Sequence, residues 1–125
     1  MAVSTALANS ILDAIVNNTS YALGNNPWVA LHTGDPGTTG ANEVTGGSYA
    51  RQQVNFNAAA SKAAKNAASF SFANMPAATV THISLWSAET VGTFLIGGAL
   101  SESIVVAGGG TATLSAEHLT ASVTS

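Results

Sequence analysis

The sequence predicts a mainly β protein, an antiparallel β-sandwich or small barrel with one N-terminal α-helix. Three observations predict it. A helical apolar period is confined to the first 20 residues, short β-branched and aromatic runs follow one another closely after Trp28, and glycine, asparagine or proline separates most of those runs. At 125 residues the chain has the size of one domain and can bury about two thirds of its unfolded surface. Residues 1–125 are therefore expected to form a single β-rich domain, with no internal repeat and no linker.

In the N-terminal segment Val3, Leu7, Ile11 and Ile15 recur every fourth residue, with Leu12 and Val16 beside them and Asn9, Asp13 and Asn17 on another face. The spacing predicts one helix within residues 1–20, capped by Ser4 and stopped by Asn17, Asn18, Thr19 and Ser20. So short a helix is marginal alone, so its stripe must dock on a sheet or on a partner subunit. Trp28 to Thr33 reads as the first strand, ended by Gly34, Asp35, Pro36 and Gly37. A long glycine-rich loop over residues 34–47 follows, then a second strand over Tyr49 to Phe56, where Val54 and Phe56 alternate with Gln53 and Asn55.

Ala58 to Ala68 contains seven alanines and both lysines. Propensity alone favours a helix there, but the β-rich context favours an exposed crossing, read as a loop or short helix. Ser69 to Phe72 alternates phenylalanine with serine, as a half-buried strand does. Thr79 to Ser87 carries the strongest strand signal and should be central, forming a hairpin with Gly92 to Leu100 through the turn at residues 88–91. Further short strands are expected over Ser103 to Ala107, Thr111 to Ala116 and Leu119 to Val123, with Gly108, Gly109 and Gly110 joining the first two.

Composition narrows the function. Only 7% of residues are charged, against about 25% in ordinary soluble domains. The surface must then be built largely from Thr, Ser, Asn, Gly and Ala, which suits a protein packed closely into an assembly. Arg51, Lys62 and Lys65 are the whole basic complement, too few for the six to ten phosphate contacts typical of a nucleic-acid binder, so no nucleic-acid partner is expected. No apolar run is long enough to span a membrane, the start lacks the basic residues of a signal peptide, and no membrane partner is expected. The absence of cysteine removes disulfides and thiolate chemistry.

No constellation of catalytic residues emerges, and no cofactor is expected. His32, His82 and His118 lie far apart in sequence with no second ligand at a metal-like spacing, so they read as structural histidines. Asp35 and Glu43 could pair across their loop for glycoside hydrolysis, and a metal-dependent hydrolase is the weakest reading. An Asx turn at Asp35-Pro36-Gly37 with a solvated Glu43 explains the same residues more simply. Asp35, Asn42 and Glu43 are oxygen donors for a calcium ion, but without EF-hand spacing. Trp28, Tyr49 and Trp86 would form a sugar platform if exposed, which makes a carbohydrate-binding module the alternative of another class. Aromatic residues in strands more often fill the core. Arg51, alone of its kind, is expected to fork onto loop carbonyls, Glu43 or Asp35 and pin the loop to the sheet. Asp35, Asn42, Glu43, Tyr49 and Arg51 are thus the candidate loop-anchoring or interaction residues.

The string Trp28-Val29-Ala30-Leu31-His32-Thr33-Gly34-Asp35-Pro36-Gly37, continued by Gly40-Ala41-Asn42-Glu43-Val44, Gly46-Gly47 and Tyr49-Ala50-Arg51-Gln52, resembles small virion proteins of tailed phages, especially phages of actinobacteria. Thr81-His82-Ile83-Ser84-Leu85-Trp86 with Gly92-Thr93-Phe94-Leu95 extends the resemblance. Members are labelled tail-fibre or minor tail proteins or carry no assigned role, and the resemblance implies no catalytic residue. It implies a non-enzymatic structural protein of the virion, assembled in the bacterial host cytoplasm. The expected partners are other phage structural proteins, either the major capsid protein or tail proteins. A compact chain without repeat or coiled coil makes a poor shaft but a serviceable clamp across capsid joints. Capsid decoration is therefore the first expectation and a tail-fibre or minor tail protein the alternative. A homo-oligomer is expected in either place, and a trimer would suit local three-fold positions.

Overall fold

A computed structural model describes residues 2–21 and 25–122. The chain runs β1 (Ala2–Val3), α1 (Thr5–Val16), β2 (Trp28–His32), β3 (Gln52–Gln53), β4 (Ala63–Lys65), β5 (Phe70–Met75), β6 (Ala78–Trp86), β7 (Phe94–Val106), β8 (Gly110–Leu114) and β9 (Thr120–Ser122). Among the described residues, strands and isolated bridges hold 44% and pair antiparallel, with no closed barrel, so the fold is mainly β and sandwich-like with an N-terminal helix.

The principal sheet has the order β1-β7-β6-β2-β3, which places β6 at its centre as its β-branched and aromatic content predicts. Two smaller sheets, β5-β8 and β4-β9, complete the fold. Val29, Leu31, Ile83, Leu85 and Ile96 lie on one face of the principal sheet, since Val29 pairs with Leu85, Leu31 with Ile83 and Leu85 with Ile96. They share a core with Phe72 and Met75 of β5, Ala112 and Leu114 of β8, and Val44, Val54 and Leu119 from the connections.

Ser4 caps α1, its hydroxyl accepting from Leu7 N at 3.1 Å, and Asn17 closes the helix. Preceding it, β1 adds an edge strand that the sequence does not signal, pairing Val3 with Ile96. The helix contributes no buried residue; only Leu7 and the preceding Val3 reach the core.

Three segments differ from the sequence expectation. The strand expected over Tyr49 to Phe56 shortens to Gln52–Gln53, because Gly46 and Gly47 adopt positive φ and Tyr49 and Arg51 turn their side chains onto the loop. Ala58 to Ala68 is a hairpin rather than a loop or short helix. Ala60 and Ala63 bond to each other in both directions across a two-residue turn in which Ser61 and Lys62 both have positive φ, and β4 then pairs with β9. Asn66 fixes this register from a fully buried position: its amide donates to the Ala68 and Ser115 carbonyls and accepts from Leu119 N. Gly92 to Leu100 and Ser103 to Ala107, expected as separate strands, are one strand, β7, whose register against β6 shifts between Ile104 and Ala99. The last strand is Thr120–Ser122; Val123 lies outside the described residues.

Candidate functional site

The second face of the principal sheet is where the glycine-rich loop lies. Ala30 pairs with Ser84 and Ser84 with Gly97, so these residues point away from the core on the face that also carries His32 and Trp86. Pro36 is fully buried there, and Gly40 has a φ of +83° with its Cα against Trp86. A Cβ on Gly40 would fall 2.6 Å from Trp86 Cη2, and one on Gly97 would fall 2.8 Å from Pro36 Cγ. Glycine at these two positions lets the loop lie flat on the sheet.

Beneath the loop runs a chain of hydrogen bonds with a fixed direction. Trp86 Nε1 donates to Ser84 Oγ at 2.8 Å, and Ser84 Oγ sits 2.6 Å from His32 Nε2. His32 Nδ1 is 2.8 Å from the Ala41 carbonyl, which can only accept. The imidazole therefore carries a proton on Nδ1, and in the neutral form its Nε2 accepts a hydrogen bond from the Ser84 hydroxyl. Burial pushes its pKa below the usual value, which favours that form.

Glu43 and Arg51 hold the far end of the loop. Arg51 Nε and Nη2 fork onto Glu43 Oε2 and Oε1 at 2.9 and 2.8 Å, while Nη1 donates to the Ala88 and Val91 carbonyls. The guanidinium lies 3.7 Å from the Trp86 ring centroid, so one side chain ties the loop, the β6–β7 turn and the sheet together. Tyr49 Oη donates to Glu43 Oε2 and accepts from Leu31 N, both at 2.9 Å. Burial would raise the Glu43 pKa, but Arg51 and Tyr49 hold it below the ordinary carboxylate value. Burial also drives the Tyr49 hydroxyl far above its usual value.

Of the five candidates, Glu43, Tyr49 and Arg51 converge. Asp35 and Asn42 lie apart from them on the exposed side of the loop. Asp35 Oδ1 accepts from Gly37 N at 2.8 Å in an Asx turn, and Asn42, with a φ of +65°, donates to the Asp35 carbonyl. Arg51 meets Glu43 and two carbonyls of the β6–β7 turn, not Asp35. His32 and His82 are cross-strand partners, His82 Nδ1 lying 2.8 Å from Thr81 Oγ1, while His118 belongs to the turn before β9. Tyr49 stacks on Phe72 of the core, while Trp86, on the opposite sheet face, is covered by Arg51 and by the loop at Gly40, so neither ring is an open platform. Sequence reasoning missed Ser84 and Asn66. Both are small polar residues whose role depends on partners more than 45 positions away, as in the Ser84–His32 and Asn66–Ser115 bonds.

Among the described residues no buried side-chain nitrogen or oxygen lacks a hydrogen-bond partner. The arrangement can thus hold a shaped loop rigidly, with its polar groups already engaged with one another. The model of a family described as Gp80, podophage GP4 fiber I protein gp80, matches residues 2–122 of the chain. No curated protein matches it.

Proposed function

The chain belongs to the Gp80 family of podophage fiber I proteins, and from that premise we propose that it is a non-enzymatic building block of a fibre at the phage tail. It is a structural protein of a phage virion. The family match, extending over residues 2–122, is the observation that carries this reading. It favours the fibre alternative over the capsid exterior. The interior of the loop site agrees with a structural role. Ser84 and His32, whose hydrogen bond would otherwise suit a nucleophile and its base, are both fully buried, so no substrate can reach them.

In this role the loop over residues 34–47 is a preformed surface presented to a neighbouring phage protein, and its anchoring from beneath limits the entropy lost on contact. Labelling the protein with a small tag and gold in intact particles tests the location. Label confined to the tail appendages, with a copy number matching theirs, is the expected result. Label spread over the shell in numbers comparable with the capsid subunits would overturn the fibre reading.

A further inference from the structure

The open side of the sandwich lies between β7 and β8. These strands leave the turn at residues 107–109 in different sheets, β7 bonded to β6 and β8 to β5. Among the described residues β1 is the one strand on the outer edge of β7, and it covers only Ile96 and Gly97. Past Gly98 that edge is bare. Its rim is irregular, because Leu100 to Ser103 stand opposite Thr81 alone, between the His82–Ala99 and Val80–Ile104 pairs. Ser101, Glu102 and Ser103 are exposed there, while Leu100 and Ile104 pack half-buried against the core. Beside this edge two adjoining hollows of about 210 Å³ each meet at Leu100, Ser101 and His118. Their floors reach the core residues Ile83, Leu114 and Leu119.

We propose that this groove takes a short extended segment of another virion protein, which adds to the bare edge of β7 in line with β1. Hydrogen bonding is the first argument. An unpaired strand edge is a template for a further strand, and Ala2–Val3 already uses the same edge in this way. The bulge over residues 100–103 breaks the regular spacing of donors and acceptors, so a short segment fits where a long flat one does not. Shape is the second argument. Alternate side chains of an added strand point to one face, here into the two hollows, where Leu100, Leu114 and Leu119 favour apolar groups. Charge is the third. Glu102 carries the groove's formal charge and has no ion pair among the described residues, which selects a segment with a lysine or arginine at the rim. A second copy of this chain has no such segment to give, because Arg51 is bound to Glu43 and both Lys62 and Lys65 belong to the β4 hairpin. The inference rests on the chain being a virion protein, but not on its place in the particle.

The chain contains no cysteine, so the thiol of Ser101→Cys reports on the groove alone. Its labelling by a maleimide dye is expected to be fast in the purified chain and at least about ten-fold slower in intact particles. Equal rates in the two would overturn the proposal. So would slow labelling of the purified folded chain, since the groove would then be covered by the chain itself or by a second copy. A photoreactive Ser101→benzoylphenylalanine variant is expected to link, in particles, to another virion protein at a peptide with alternating apolar residues and a lysine or arginine. No link, a link to this chain or a link to a peptide without that pattern would overturn it. Glu102→Lys is expected to lower the amount of protein built into particles about ten-fold while leaving the melting temperature of the purified chain unchanged. If that variant unfolds, Glu102→Gln makes the same test, and incorporation equal to wild type would overturn the proposal. Wild-type protein missing from purified particles would overturn this inference together with the virion reading, whereas protein present with an open groove overturns the inference alone.

Discussion

At the scale of single residues, Arg51 connects more of the molecule than any other side chain of the loop site. Removing it leaves Glu43 with Tyr49 as its remaining side-chain partner and frees the Ala88 and Val91 carbonyls. Breaking a fully buried pair costs about 3–5 kcal/mol. Because the Glu43 side chain keeps 22% of its exposure, Arg51→Ala is expected to cost less, about 2 kcal/mol. Its larger effect is on order: cleavage by a broad-specificity protease should rise several-fold within residues 34–47 and 88–93. An unchanged cleavage rate would refute the anchoring role. His32 gives a pH signature with a definite sign. Its folded pKa lies below the unfolded 6.5, so the unfolded chain binds the proton first. The neutral-histidine contribution is then complete above pH 6.5 and is lost as pH falls through the folded value. Glu43, also depressed, adds a second loss below its ordinary 4.5. Melting temperature plotted against pH should fall in two steps, and His32→Gln should lack the upper one. The bidentate pairing of Arg51 was legible because the chain has a single arginine beside a loop with acidic residues. The Ser84 link was not, since nothing local distinguishes that serine from its many neighbours.

At the scale of elements, the strands that sequence reading found are those whose own side chains decide their state. β6 and β2 bury β-branched and aromatic residues and could be placed within a residue or two. The β4 hairpin could not, because Ser61 and Lys62 hold positive φ without the Asn-Gly chemistry that usually marks such a turn. Its pairing is decided by Asn66 and by the distant β9 instead. A similar tension is stored in the β6–β7 turn, where Val91 has a φ of +56° and is 86% exposed. A β-branched residue in the left-handed region is strained, and the bond from Arg51 to its carbonyl helps to hold it there. Val91→Gly keeps that carbonyl and removes the strain. It is expected to raise stability by about 0.5–1 kcal/mol in denaturant unfolding, net of glycine's entropic cost. A loss of stability would show that the valine side chain makes contacts that outweigh the strain.

For the whole molecule, the mainly β architecture with one leading helix was readable from period and punctuation. The distribution of burial was not. Residues 34–47 read as an open surface feature, yet their first half lies on a sheet face that alternation alone would leave to solvent. Glycines at positions 40 and 97 were visible in the sequence, but the close approach they permit shows only when both are placed around Trp86 and Pro36. The particle type was legible in the sequence, whereas the preference for capsid over fibre is not the one the family match favours, and the reason is physical. A compact unit argues against a continuous shaft, but units of this size can be joined end to end or attached beside one, so compactness does not discriminate between the two locations. The loop's anchoring has a further consequence for the tolerance of change. What ties the loop to the sheet faces inward or belongs to the backbone, namely buried Pro36, the Gly40 contact, the Ala41 carbonyl on His32 and the Glu43 fork, while Asp35 and Asn42 alone brace its turn from outside. Thr38, Thr39 and Thr45 face outward, and replacing all three with serine or asparagine should move the denaturation midpoint by no more than about 0.5 kcal/mol. Apart from Asp35 and Asn42, the outer surface of the loop can therefore be rewritten, by selection or by an engineer inserting a tag, while its foundation stays in place.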